Sequence, residues 1–212
     1  MKAFTIVAID GAAASGKTTT ARILADKYGL MHASTGEHYR AITYKLLAMN
    51  VDPGDESAIE CALKGIILGS KIAESRCIVT LSGEQIGDKL LRSTEINEFV
   101  SKFAHVSRVR EFLFGYQRSL AVVAKEHGFY GLAIEGRDVT SVIFPNADLR
   151  FFLHADTDKR ALRRNTETDP IADRDLADQR VTVWQDGVIR IDTGIFSLQS
   201  VVNIISRYIE EL

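Results

Sequence analysis

Gly11-Ala12-Ala13-Ala14-Ser15-Gly16-Lys17-Thr18 carries the densest chemistry in this chain. It matches G-x-x-x-x-G-K-[ST] in full. Glycines enter backbone conformations that other residues avoid. A loop of this kind turns its N–H groups toward a polyphosphate, at the positive end of the helix that follows. Lys17 is placed to bridge the terminal phosphates, the Thr18 hydroxyl to complete a magnesium site, and Thr19 to extend the phosphate contacts into the helix. The expectation is nucleoside triphosphate binding across Gly11 to Thr19.

The elements around the loop fit that use. Thr5-Ile6-Val7-Ala8-Ile9 reads as a short buried strand, and from Thr18 onward Ala21, Ile23, Leu24 and Ala25 give a helix with one apolar side. Further along, helical patches are predicted at 39–49 and 57–68. A hairpin is predicted from Cys77-Ile78-Val79-Thr80-Leu81 through Ser82-Gly83 to Glu84-Gln85-Ile86. A long helix follows over 108–126, ending at His127-Gly128. Strands are expected at 131–135, 148–153 and 188–192, a helix beginning over 157–164, a helical stretch at 174–180 and a last helix at 197–211. Strands separated by helices indicate a three-layer α/β fold with a mostly parallel central sheet. Ligands of such sheets gather beyond the C-terminal strand ends. Both the glycine loop and Gly136-Arg137-Asp138 belong there.

Composition narrows the class. At 212 residues and 46% hydrophobic, the chain can bury one substantial core with a small satellite. A formal charge of −2 gives no overall attraction to nucleic acid, and no tract interleaves basic with aromatic residues. Cys61 and Cys77 sit in apolar sequence without metal-ligand spacing and are read as packing residues. The histidines form no compact ligand pattern and are read as surface or helix-end residues. No stretch has the apolar length to cross a membrane. The chain enters its first strand almost at once, so no signal peptide is expected and the cytoplasm is the expected location.

Two sets of arginines stand out as anion-binding candidates. Arg137 ends an apolar strand between Gly136 and Asp138, a costly place for an unpartnered charge. Arg160 shares a helix face with both Arg163 and Arg164. The rigid planar fork of arginine gives bidentate contacts to phosphate and keeps its charge, so these groups suit a transferring phosphoryl.

With these residues in view, the chain resembles the bacterial cytidylate kinases. The similarity is carried by Asp10-Gly11 before the loop, Thr35-Gly36-Glu37-His38-Tyr39-Arg40, and Val109-Arg110 through Gln117-Arg118. Gly136-Arg137-Asp138 with Val142-Ile143-Phe144-Pro145-Asn146-Ala147-Asp148, Arg160-Ala161-Leu162-Arg163-Arg164 and Arg174-Asp175 complete it. The glycine loop alone marks a superfamily; the other stretches, in this order over nearly the whole chain, are more specific.

The resemblance implies a single P-loop kinase domain over 1–212, with an inserted acceptor-binding lobe near 36–100 and a short lid near 163–182. The reaction implied is transfer of the γ-phosphoryl group of ATP, with Mg2+, to CMP or dCMP. Lys17, Arg137, Arg160 and Arg164 would serve the transfer. Thr35 and Tyr39 would border the acceptor, and Arg40 and Arg110 would grip its 5′-phosphate. Ser101 would face the cytosine, with Arg92 near it. Arg137 would also touch phosphate, Asp138 would help hold the sugar or base, Arg174 would assist from the lid and Asp178 would approach the sugar hydroxyls. Asp10 is expected as a carboxylate near the metal, behind its direct ligands. A monomer is implied.

Three departures qualify the match. Ser34 stands where the family has aspartate, and Thr140-Ser141 where it has glycine and threonine. In the lid, Val181 occupies an expected arginine position and Thr182-Val183-Trp184-Gln185 replaces a turn; Arg180 is the nearest substitute. Two other functions stay open on the sequence: a kinase for UMP, another monophosphate or a small metabolite, and a non-catalytic nucleotide-binding regulatory protein.

Overall fold

The computed structural model describes residues 4–156, 158–160 and 186–212. They divide into two compact units, one from the described parts of Met1–Ala33 and Leu120–Leu212, the other from Ser34–Ser119.

The first unit is an α/β sheet structure. Its strands are β1 (Thr5–Gly11), β2 (Leu30–Ser34), β6 (Gly131–Gly136), β7 (Leu149–His154) and β8 (Ile189–Asp192), ordered β2-β6-β1-β7-β8. β1 runs parallel to both β6 and β7, and β7 parallel to β8. Consecutive residues of β1 and β6 are buried. That is the mark of a sheet covered on both faces, where apolar runs replace alternation. Helices α1 (Lys17–Tyr28) and α7 (Leu198–Glu210) cover one face. Ala21, Leu24, Val201, Val202 and Ile205 pack there on Val7, Ile9, Ala133, Phe151 and Leu153.

Local chemistry sets the helix ends. Gly29, in the left-handed region at φ 64°, closes α1 and returns its N–H to Ala25. Ser197 caps α7 through Ser200 N–H.

The second unit holds α2 (Thr35–Ala48), α3 (Glu56–Leu63), α4 (Asp88–Leu91), α5 (Thr94–His105) and the first part of α6 (Ser107–Glu126). With them run β3 (Leu68–Ala73), β4 (Arg76–Leu81) and β5 (Glu84–Gln85), an antiparallel set. Ser82 and Gly83 both take positive φ, the two-residue turn that suits a twisted hairpin. The predicted hairpin is therefore present. Ile42, Leu46, Ile59, Val79, Leu81, Phe103, Val109 and Leu113 form this unit's own core.

Several expectations are corrected. The helix expected over 57–68 stops at Leu63, and Leu68 begins β3; Gly65 disfavours its continuation. β2 and α5 had no predicted counterpart. Cys61 is exposed, while Cys77 is buried. His32 and His38 are buried too, unlike His105 and His127, which sit at helix ends against Ser101 and Val123 carbonyls.

Candidate active site

Gly11 leaves β1 so close to β7 that a Cβ would lie 2.1 Å from the Leu153 carbonyl oxygen. Only glycine fits. The loop then turns through Ala14 (φ 59°) and Gly16 (φ 91°), both left-handed. Gly16 is the N-cap of α1, and no side chain caps it. The first N–H groups of the helix are thus kept for an anion.

Lys17 is buried; its Nζ donates to the Ala12 carbonyl at 2.7 Å and to Ser15 Oγ at 3.4 Å. Burial pushes its pKa down to about 8, opposed by the carboxylate of Glu135 and reinforced by Arg137; Asp10 and Arg160 act more weakly. Arg160 is itself buried, with Nε on the Ala155 carbonyl at 2.8 Å and a terminal nitrogen on the Ala13 carbonyl at 3.3 Å. Backbone carbonyls thus hold Lys17 and Arg160 at the loop, and Arg137 lies near enough to act on the lysine charge. Asp138, half-buried, lies close enough to Asp10 to raise its pKa.

Thr18 Oγ1 donates to Glu135 Oε1 at 2.9 Å. Glu135 was not among the expected site residues. Its signal was a carboxylate inside the apolar run Gly131-Leu132-Ala133-Ile134, at the C-terminal end of a central strand. Asp10, expected behind the direct ligands of the metal, is engaged by the segment that follows Arg137-Asp138. Its oxygens accept from Val139 N–H at 2.9 Å, Thr140 N–H at 2.8 Å and Thr140 Oγ1 at 2.6 Å. Asp10 thus clamps the single π turn Val139–Ile143, and burial raises its pKa despite these donors. Thr140, standing in the glycine position of the family pattern, supplies one of them.

The hydroxyl of Thr18 and the carboxylate of Glu135 are hard oxygen ligands that fit Mg2+. Among the described residues no three His, Cys, Asp or Glu side chains gather around a possible ion. Such a pair suits a metal held mainly by substrate phosphates and water.

In the second unit, α2 carries Thr35, buried in its first turn, and half-buried Tyr39 and Arg40. One terminal nitrogen of Arg40 donates to the Leu91 carbonyl at 2.9 Å and to Asn97 Oδ1 at 2.7 Å. Arg92 caps α4, and one of its terminal nitrogens lies 3.6 Å from Glu37 Oε1. Ser101 on α5 and Arg110 on α6 are half-buried. Ser34 is the N-cap of α2, yet its side chain makes no cap hydrogen bond. Arg164, Arg174, Asp178, Arg180 and Val181, with the rest of the expected lid, lie outside the described residues.

The family model for cytidylate kinase matches residues 7–211. The chain belongs to the cytidylate kinase family. Among relatives, it is 34% identical to a cytidylate kinase of Geobacillus sp. (strain WCH70), covering 97% of this chain and 96% of that one. It is 33% identical to a cytidylate kinase of Streptomyces griseus, covering 97% and 92%. A solved structure of a sugar kinase from Janibacter sp. HTCC2649 aligns with TM-score 0.50 at 13% identity, over 98% of this chain and 95% of that one. That last likeness concerns the fold alone. Family membership and the parallel sheet around the glycine loop together establish the P-loop kinase fold.

Proposed function

We propose that this chain transfers the γ-phosphoryl group of ATP to CMP or dCMP, giving CDP or dCDP and ADP. The observation that carries this reading is the convergence of Lys17, Arg137, Arg160 and the Thr18–Glu135 pair at the glycine loop, in a family whose model spans the chain.

Phosphoryl transfer asks the protein for alignment, charge neutralisation and water exclusion more than for covalent chemistry. The loop N–H groups and Lys17 hold the terminal phosphates. Lys17, Arg137 and Arg160, with Arg164 from the lid, offset charge that builds on the moving group. Thr18 and Glu135 would hold Mg2+, which would neutralise phosphate charge. The acceptor monophosphate is its own nucleophile, so no side chain is needed to activate it. Thr35, Tyr39, Arg40, Arg92, Ser101 and Arg110, all within the second unit, hold the acceptor. Asp138 and the lid residues Arg174, Asp178 and Arg180, within 163–182, are the remaining acceptor contacts that the family resemblance implies.

Among the described residues no helix is long and apolar enough to cross a membrane. The proposal takes the enzyme as a cytoplasmic monomer that binds nucleotides and no nucleic acid. Neither a different acceptor nor a regulatory role gains support from the comparisons.

The test is an acceptor panel with ATP–Mg2+: CMP, dCMP, UMP and other monophosphates. CMP or dCMP should give the highest kcat/KM. Preferred turnover of UMP or of a small metabolite overturns the assignment.

A further inference from the structure

Glu37 is a carboxylate in the first turn of α2, about nine-tenths buried. Its Oε1 is shared between Arg76, at 3.5 Å, and Arg92, at 3.6 Å. Burying a carboxylate is expensive unless it is paired, and the helix N-terminus helps it stay ionised. One arginine would meet that need. Two approach the carboxylate, and both contacts are longer than the roughly 2.8 Å of a saturated charge-assisted bond. The Arg92 side chain is 54% exposed. Its guanidinium is therefore oriented by Glu37 with donors to spare.

The backbone of the same segment is fixed independently. Asn97 Nδ2 donates to the Arg92 carbonyl at 3.1 Å. Arg40, one helical turn after Glu37, donates to the neighbouring Leu91 carbonyl and to Asn97 Oδ1. Two polar side chains thus converge on Arg92, which caps a helix of a single turn, and Arg40 holds the carbonyl of the residue before it. Such a helix has little stability of its own. Stability alone gives no reason to hold an exposed arginine at both its head group and its carbonyl.

We propose that Glu37 is a positioning residue that holds the Arg92 guanidinium for the acceptor nucleotide, with Asn97 fixing the backbone beneath it. The proposal rests on the acceptor reading given above. Glu37 does no chemistry itself and acts only through Arg92.

Steady-state kinetics of the full chain test it through a double-mutant cycle of E37Q and R92Q. E37Q is nearly isosteric and removes only the charge. It should raise the acceptor KM about fivefold to twentyfold while leaving the ATP KM within about twofold. In the R92Q background the same change should add nothing. An unchanged acceptor KM, effects that simply multiply, or a joint loss of both KM values and kcat overturns the proposal. Should E37Q not fold, E37D replaces it in the cycle and is read by the same criterion. The wild type is measured alongside. If it uses neither CMP nor dCMP, the acceptor reading fails separately, and the cycle is run on whichever acceptor the panel identifies.

Discussion

Lys17 works in a setting that weakens its own charge, and this has a measurable consequence. Burial holds its ammonium near pKa 8, down from 10.5; the Glu135 carboxylate opposes this, and Arg137 adds a repulsion smaller than that attraction. A bound polyphosphate reverses the balance, so above pH 8 nucleotide binding must draw a proton onto the lysine. Calorimetry at pH 8.5 in buffers of different ionisation enthalpy should show uptake of about three-quarters of a proton on ATP binding. Lys17→Met should abolish that uptake. The nucleotide-free protein carries the opposite sign of effect. Between about pH 8 and 10.5 the unfolded chain keeps a proton that the folded one has lost, so this group makes stability rise with pH across that window. A urea midpoint that falls there in the wild type, relative to Lys17→Met, would contradict the assignment. Lys17 and Thr18 were legible because the glycine-loop motif that contains them is contiguous in the sequence. The role of Glu135 was not, because its bond to Thr18 spans 117 positions. The donors that Asp10 accepts from were out of sight for the same reason, lying 129 and 130 positions away.

At the level of elements, β1 delivers more than the loop that follows it. Its Asp10 ties the end of the strand to the π turn after Arg137-Asp138. Thr140→Val keeps the side-chain volume but removes a hydroxyl donor from a buried carboxylate. It should cost about 1.5–3 kcal/mol in urea unfolding and should raise the acceptor KM more than the ATP KM. An unchanged midpoint would show that the backbone donors alone suffice. The strands that sequence could reveal, β1, β4, β6, β7 and β8, are rich in valine, isoleucine, leucine or phenylalanine bounded by turns. β2, Leu30-Met31-His32-Ala33-Ser34, has no β-branched residue and is a strand because its position buries all five residues. β3 is mostly half-exposed and holds a glycine, so its alternation was faint. α5 follows α4 after only Arg92 and Ser93, and its start is visible chiefly in the Ser93 side chain capping Ile96 N–H.

For the whole molecule, the two units predict separable losses. Arg110→Ala, on the second unit, should weaken acceptor binding by about tenfold or more and leave ATP affinity nearly unchanged by calorimetry. Equal losses for both ligands would show that Arg110 serves the donor instead. The way the units are strung along the chain also governs how the protein is made. Ser34–Ser119 is one continuous run, able to begin forming its own core while still being synthesised. The nucleotide-binding sheet is not continuous. Thr5 pairs with Gly131 and Gly11 with Leu153, so β1 emerges from the ribosome long before either of its neighbours exists. Pairings of such high sequence separation are slow to close and leave apolar edges open meanwhile. A nascent chain of this protein therefore completes the strand pairs that hold its phosphate loop only after about three-quarters of its length has been translated, and until then the apolar run of β1 has no neighbour.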